Sequence, residues 1–530
     1  MAKYDVVVAG GGHHGLITAC YLAKAGLSVC VVEKQDRVGG GVIRRELNAP
    51  GFYHDMASTM HMFIQPNPIV LQDELELFSK HGMKYVDFDP KFTMLFPDGK
   101  VMAFWRDVDK TCESIAQFSK KDAEAYKKFY TWALPGLEML VSGMFTPPPP
   151  LSAMMGLFEG SDAGRELKRA LLMSSLDIVN EWFESDAIKI ALTRFASENM
   201  LAPDTKGTGL NLFIFVPLIH RYGAQIPEGG SGGLSEALER CFKANGGTVM
   251  LNSPIKSIKV EQGKAAGVVL QSGEEIVAKK LVVSNLNVKQ MFLEMISPEN
   301  VPADVPTKVQ RIKQSDHMAF HQLLSLNEAP KYKAEGIVNK SFYVGHINSY
   351  KLSDFLKTFD GFKYGIMDTT TPGIGCATHF DPTRAPKGKH TLYLYHYAPS
   401  ALQDGGIEGW DKVKQKVADD ILATVRKVTT NMDDSNILGR TIMTPLDYYR
   451  YNRAWFEGDI NQIGLLLSQQ FADRPVGGWA PYKTPIDRLY LCGPCAHPGG
   501  GVTGGAGRAA AITIMADLNL DFEKVAAGKQ

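Results

Sequence analysis

Apolar residues fall along this chain in two textures. Tyr4 to Ala9 (Tyr-Asp-Val-Val-Val-Ala) is a β-branched run without polar alternation, so it predicts a strand covered on both faces, as in a parallel sheet. Gly10, Gly12 and Gly15 follow at once and open a helical stretch, Leu16 to Ala25, ended by Gly26. Leu27 to Glu33 is the second β-branched strand and completes one β-α-β unit. The same texture returns after a predicted helix, Leu234 to Ala244, where Thr248 to Leu251, Ile255 to Val260, Ala266 to Leu270 and Lys280 to Ser284 read as short strands. Pro254, Gly263 and Gly273 separate them. The last unit is a strand, Arg488 to Cys492, then a glycine-rich turn through Gly504 and a helix from Ala506 onward.

The intervening blocks, about 60 to 225 and 300 to 480, are rich in aromatics, Met and Pro and show no β-α-β rhythm. An α/β fold follows: a nucleotide-type domain built from 1–60, 225–300 and 480–530, interleaved with a substrate-binding domain from 61–224 and 301–479. Within the first insertion, Ala133 to Phe158 carries Leu140, Val141, Met144, Phe145, Pro147 to Pro150, Met154, Met155, Leu157 and Phe158. A core helix followed by a polyproline-type linker is the simpler reading. An interfacial patch for membrane docking or lipophilic entry is the alternative.

Composition narrows the function classes. A length of 530 residues exceeds what one hydrophobic core usually organises. With 45% hydrophobic and 22% charged residues the chain is of ordinary globular make-up. Lys+Arg and Asp+Glu both number 57, which leaves no net field for nucleic acid, and no dense basic run makes a phosphate-tracking patch. Seven cysteines, sparse and odd in number, suit a reducing compartment. No secretory leader is visible, and the longest apolar runs fall far short of the roughly 18 to 20 residues that span a bilayer. The expectation is a cytoplasmic protein, with peripheral membrane contact left open.

Gly10-x-Gly12-x-x-Gly15 sits where the dinucleotide fingerprint requires, between strand and helix. Gly10 allows the tight turn, Gly12 lets backbone approach a pyrophosphate, and Gly15 lets helix and strand pack closely. Glu33, 18 residues beyond Gly15, ends the second strand where it can accept hydrogen bonds from ribose hydroxyls; Lys34 adjoins it. His13 and His14 read as helix-start residues near the phosphates. Arg37-x-Gly39-Gly40-Gly41 with Arg44-Arg45 forms a second glycine cluster, which favours FAD over NAD because the chain must pass beside the pyrophosphate and ribitol.

Cys492 to Gly507 holds a second formal GxGxxG, Gly499 to Gly504, but only 26 residues follow it, too few for another dinucleotide domain. A loop of backbone N–H groups feeding a helix N-terminus fits better, its positive end stabilising the anionic N1/O2 edge of a reduced flavin. Val502 and Thr503 supply the nearest amides in this reading. No second C-x-x-C accompanies Cys492 and Cys495, so zinc is not expected, and turn packing outranks thiol redox. His497, before a proline in the same loop, is placed to line the active site.

The N-terminal fingerprint, Gly229-Gly230-Ser231-Gly232-Gly233-Leu234 before a helix, and the ending Leu489-Tyr490-Leu491-Cys492-Gly493 through His497, Gly501-Val502 and Gly507-Arg508 resemble the phytoene desaturase-like flavoproteins. Within them the chain is most similar to the pyridine nucleotide-disulfide oxidoreductase domain-containing protein 2 branch. The insertions resemble that family only loosely, through Gly51-Phe52-Tyr53-x-Asp55 and Thr444-Pro445 to Ile460, and Gly41, Val42 and Ile43 depart from its bulkier polar or aromatic residues. The resemblance implies a Rossmann-type FAD-binding domain of the glutathione reductase 2 type with an α+β substrate lobe. It also implies FAD contacts from Gly10, Gly12, Gly15, Glu33, Gly40, the backbone around Ile255, Gly493, Gly501 and Val502.

The preferred expectation is a FAD-dependent dehydrogenase or desaturase moving a hydride between a C–C bond of a lipophilic or cyclic substrate and flavin N5. Oxygen or a quinone is the expected electron acceptor, and a homodimer is left open. Candidate bases are His497, His61 in Met60-His61-Met62-Phe63, and the cluster Tyr448, Tyr449, Tyr451, Trp455. Asp55 and Glu457 read as turn-stabilising acids, and no metal site is expected. A flavin amine (C–N) oxidase, and a flavin-bearing assembly protein of another class, are the alternatives.

Overall fold

The computed structural model describes residues 2–479 and 481–528; the domain boundary expected at residue 480 falls outside the described residues. One seven-stranded sheet runs in the order Ile255–Glu261, Lys264–Leu270, Glu275–Ser284, Ala2–Ala9, Val29–Val32, Thr248–Met250. Leu489–Leu491 shares the edge of Glu275–Ser284, in parallel with it. The four β-branched or apolar strands at the centre pair in parallel, and Val6 to Ala9 and Val29 to Val32 are buried on both faces, as a run without alternation requires.

The first helix is His13–Lys24, three residues longer at its start than the sequence pattern suggests, because Gly12 in extended conformation serves as N-cap. It packs on the C-terminal helix Gly505–Asp517, and the approach is so close that a Cβ on Gly507 would lie 2.4 Å from the His14 carbonyl oxygen. Thr18 Oγ1 seals the contact by donating to Gly507 O at 2.8 Å.

A second seven-stranded sheet lies in the lobe for which the resemblance implies an α+β build, though no local run of the sequence marks its strands; it runs Ile437–Met443, Met318–Leu326, His390–Ala398, Gly373–Gly375, Tyr343–His346, Phe92–Leu95, Val101–Phe104. Its strands come from both insertions. Beside it, the helices Lys120–Met144, Asp186–Ser197 and Gly209–Arg221 build an aromatic core around Phe129, Phe195, Phe213 and Phe215. The stretch from 133 is the end of a core helix, then an extended run through Pro147 to Pro150, then a further helix, Leu151–Glu159, that carries the exposed Leu151 and Leu157. No helix of the described residues is long and apolar enough to cross a membrane.

A buried ion cluster joins the two sheets' territories. Arg384 Nη1 lies 2.5 Å from Asp55 Oδ2, and its Nε lies 2.8 Å from Asp381 Oδ2. The same carboxylates accept from the Ser231 and Gly229 amides, both at 2.7 Å. Asp55 therefore spends its oxygens on structure, as a turn-stabilising acid does.

Candidate active site

One cavity of about 490 Å³ extends from the glycine loops of the first sheet to the aromatic face of the second. At its first end the two glycine clusters are stitched together. Gly39 N donates to Gly11 O at 2.7 Å, and a Cβ on Gly40 would lie 3.1 Å from Gly12 Cα. Glu33 accepts from Gly11 N at 2.8 Å and from Gln35 N at 2.9 Å, which fixes its carboxylate while leaving lone pairs toward the cavity. Gly10, Gly12, Glu33, Lys34, Gly40 and Ile255 all line this end. Gly15 does not; it serves the helix contact, where a Cβ would meet Gly10 O at 2.6 Å.

At the middle of the cavity the C-terminal loop enters. Gly499, Gly501 and Gly504 hold φ of +114°, +83° and +68°, conformations that favour glycine, and the loop delivers Gly501 and Val502 to the wall. Thr503 and Gly493 sit one layer behind. Thr503 Oγ1 accepts from Gly505 N at 3.1 Å, and Gly493 abuts Asn285. Cys492 and Cys495 are turned to different partners, Ser284 O and Gln462 Oε1. Burial pushes their thiols up to about 12 and about 11.

The sequence implies FAD, and the walls fit it. His13 Nε2, His14 Nε2 and Asn285 Oδ1 are buried, border the cavity, and have no hydrogen-bond partner among the described residues. Leaving such groups unpaired costs about 1 to 3 kcal/mol each, so a polar ligand is the natural complement. The glycine backbone at 10, 12 and 40 would hold the pyrophosphate, Glu33 the ribose, Ile255 the adenine side, and Gly501 with Val502 the ring edge. When bound, the cofactor supplies two-electron redox chemistry.

The structure does not bring His497, His61 or Tyr449 to the cavity wall, and each departure has a local cause. His497 Nε2 pairs with Gly143 O at 3.1 Å, behind the loop, and burial lowers its pKa to about 4. His61 bridges antiparallel to Gln225, and this extended backbone alternates side chains: Met60 and Met62 face the cavity while His61 faces Tyr85 Oη at 2.9 Å and Ser231 Oγ at 3.2 Å. Tyr449 is on the helix Pro445–Tyr451, rotated off the face that buries Tyr448, and packs under Arg453 with 4.6 Å to the ring centroid. Tyr451 and Trp455 do line the cavity, and Glu457 is exposed.

The second sheet instead supplies His321, Tyr343, Tyr393 and Tyr395, and the helix Asp186–Ser197 leads into Glu198. His321 Nδ1 lies 2.6 Å from Tyr448 Oη, and its Nε2 is hydrogen-bonded to the Tyr393 hydroxyl. Burial lowers the His321 pKa to about 3. Burial also raises the Glu198 carboxyl, against the pull of Arg194; Tyr397 Oη donates to its Oε1 at 2.8 Å. In the sequence His321, Tyr343, Tyr393 and Tyr395 sit inside apolar strands, where one histidine among leucines resembles packing.

The family of flavin-containing amine oxidoreductases matches residues 15–320. The pyridine nucleotide-disulfide oxidoreductase domain-containing protein 2 of Rattus norvegicus is 30% identical over 97% of this chain and 94% of its own length. A limonene dehydrogenase polypeptide of Castellaniella defragrans is 26% identical, over 98% and 95%. A lycopene-forming phytoene desaturase of Paracoccus sp. is 25% identical, over 98% of each chain. Among solved structures, an oxidoreductase from Methanosarcina mazei superposes with a TM-score of 0.62 at 18% identity, covering 97% of this chain and all of that one. Putrescine oxidase bound to putrescine gives 0.60 at 13% identity, covering 98% and 99%. These solved structures share the mixed α/β fold. The chain thus belongs to the flavin-containing amine oxidoreductase family, and it is a FAD-dependent oxidoreductase.

Proposed function

We propose that the protein oxidises or reduces a C–C bond of an apolar or cyclic substrate, passing a hydride between carbon and flavin. The observation that carries this reading is the wall beyond the glycine loops: Met60, Met62, Phe63, Phe92, Phe215 and Phe342 face the substrate end of the cavity. Phe63 and Phe215 meet edge to face, with centroids 5.1 Å apart. Such a surface gains free energy by taking up an apolar molecule and offers few hydrogen-bond partners to a polar one. The names of the limonene and phytoene relatives point the same way.

An amine oxidase would need an aromatic pair facing each other across the substrate and a place for a cation. Tyr451 and Trp455 instead stack on one another, with an interplanar angle of 24°. The carboxyl at the far end, Glu198, is the one that burial disfavours as an anion. Oxygen or a quinone serves as acceptor in this reading.

Anaerobic mixing of the FAD-loaded protein with panels of terpenoid alkenes, cyclic ketones and primary amines tests it. Bleaching of the flavin by alkenes or ketones is expected. Bleaching by amines alone would replace the proposal with the C–N reaction, and bleaching by none would favour a non-enzymatic role.

A further inference from the structure

His321 stands in a hydrogen-bond cluster whose hydrogens can be counted. Tyr448 Oη donates to Met56 O at 2.7 Å, and Tyr393 Oη donates to Ala57 O at 2.6 Å. Both hydroxyls also meet the imidazole, Tyr448 at Nδ1 and Tyr393 at Nε2. The cluster thus contains four hydrogen bonds. Two end on backbone carbonyls, which only accept.

Each phenol brings one hydrogen and a neutral imidazole brings one, so three hydrogens serve four bonds. The arrangement is one proton short. Adding a proton to His321 completes it: both ring N–H groups then donate to the phenol oxygens, and both phenols donate onward to Met56 and Ala57. Tyr395 stacks over the ring, 5.0 Å between centroids, and burial in this aromatic setting keeps the imidazole neutral until a proton arrives. The charged and titratable groups facing the cluster are Tyr395 and Tyr343 from the second sheet, Glu198 beside Arg194, Asp55 held by Arg384, and Asp447 next to Tyr448. His321 hydrogen-bonds with the two tyrosines and with no carboxylate among the described residues.

We propose that His321 is the proton acceptor of the reaction, with Tyr393 relaying the proton at the cavity wall and Tyr448 positioning the ring. This rests on the C–C oxidoreductase reading above. In the oxidising direction one C–H bond would break with its electron pair leaving as hydride, a bound flavin being the two-electron oxidant. The neighbouring C–H bond breaks with its pair forming the new π bond. The proton from that second bond goes to the Tyr393 oxygen and takes over the bond to Ala57 O, while the original Tyr393 hydrogen turns from that carbonyl and passes to an unprotonated Nε2. The imidazolium later returns the proton to solvent, and the reducing direction reverses each movement.

The test uses the FAD-loaded protein labelled with ¹⁵N-histidine, the His321 signals being those missing from His321→Gln. Burial alone would hold the ring at about 3; the fourth hydrogen bond, made only to the charged ring, opposes that shift, and His321 is expected to become doubly protonated with a midpoint above pH 5. Tyr448→Phe removes two of the four bonds, lets a neutral imidazole and the Tyr393 hydroxyl satisfy the two that remain, and is expected to move that midpoint down by on the order of one pH unit. A wild-type signal still neutral at pH 5, or a midpoint unmoved or raised by Tyr448→Phe, overturns the proposal.

These readings need no substrate and so stand apart from the oxidoreductase assignment. With any compound that bleaches the wild type, His321→Gln should slow flavin reduction on the order of a hundredfold or more without loss of bound FAD. Tyr393→Phe provides the milder variant should His321→Gln fold poorly, with a smaller slowing expected. Unchanged rates in a folded variant overturn the assignment of the proton to this cluster. If nothing bleaches the wild type, it is the oxidoreductase reading that falls.

Discussion

Asn285 is wedged against Gly12: a Cβ on Gly12 would lie 2.5 Å from Asn285 Nδ2. The amide has nowhere to withdraw, since a Cβ on Gly493 would lie 2.6 Å from its Oδ1 and one on Gly15 would lie 3.2 Å from its Cβ and Nδ2. Three glycines from both ends of the chain thus clasp one side chain at the end of a central strand. The contact joins the N-terminal loop to the C-terminal one and shapes the cavity between them.

Gly12→Asp should therefore lose its flavin. The added carboxylate collides with Asn285 and also places negative charge at the loop where the pyrophosphate is expected. Overpacking alone costs about 1 to 3 kcal/mol, a weakening of FAD binding on the order of 10- to 100-fold before charge is considered. The absorbance of the purified protein near 450 nm, set against an unchanged far-ultraviolet circular dichroism spectrum, reads the outcome. A yellow variant at full occupancy refutes the placement.

The two thiols of the C-terminal turn should be chemically silent. Cys492 and Cys495 are buried, point to separate acceptors, and are held as neutral thiols well above neutral pH. Iodoacetamide at pH 8 should label neither in the folded protein, as peptide mass spectrometry will show. Cys492→Ser combined with Cys495→Ser should change turnover by less than about tenfold, or 1.4 kcal/mol. Rapid labelling, or a larger loss, would restore thiol chemistry to consideration.

Acid should destabilise the fold between about pH 6.5 and 4. Burial lowers His54, His220 and His497 to about 4 and His317 to about 3, from an ordinary value of 6.5. A lowered folded-state pKa means the unfolded chain binds more protons in this window. The stabilisation is therefore complete above pH 6.5 and is lost as pH falls through the folded-state values. On the steep part each histidine contributes about 1.4 kcal/mol per pH unit. Thermal unfolding from pH 7.5 to 4.5 should show a falling midpoint, and His497→Gln should reduce the slope by one proton. A slope unaffected by that substitution would mean that His497 is not the neutral buried group described here.

The identity of the first sheet is largely legible because its signals are local. A β-branched run needs no partner to declare itself a covered strand, and glycines at 10, 12, 39, 40 and 501 mark backbone that a Cβ would obstruct or strain. The helix start at His13 is harder to read, because two histidines hide an N-terminus that Gly12 caps. Catalytic candidates fare differently: motif proximity points to His61 and His497, yet strand alternation and a turn direct both rings away from the cavity.

What the chain's order of residues determined alone was the cofactor end: strand, glycine loop, helix and acid lie within some thirty consecutive positions, so short-range sterics suffice to specify them. The substrate end was decided only in three dimensions. His321 faces Tyr395 across one strand pair and Met443 across another, and Tyr448 arrives on a helix from more than a hundred residues away. Nothing local encodes those registers. They follow from burying two distant insertions against each other, and that packing turns a histidine in an apolar strand into a ring short of one proton.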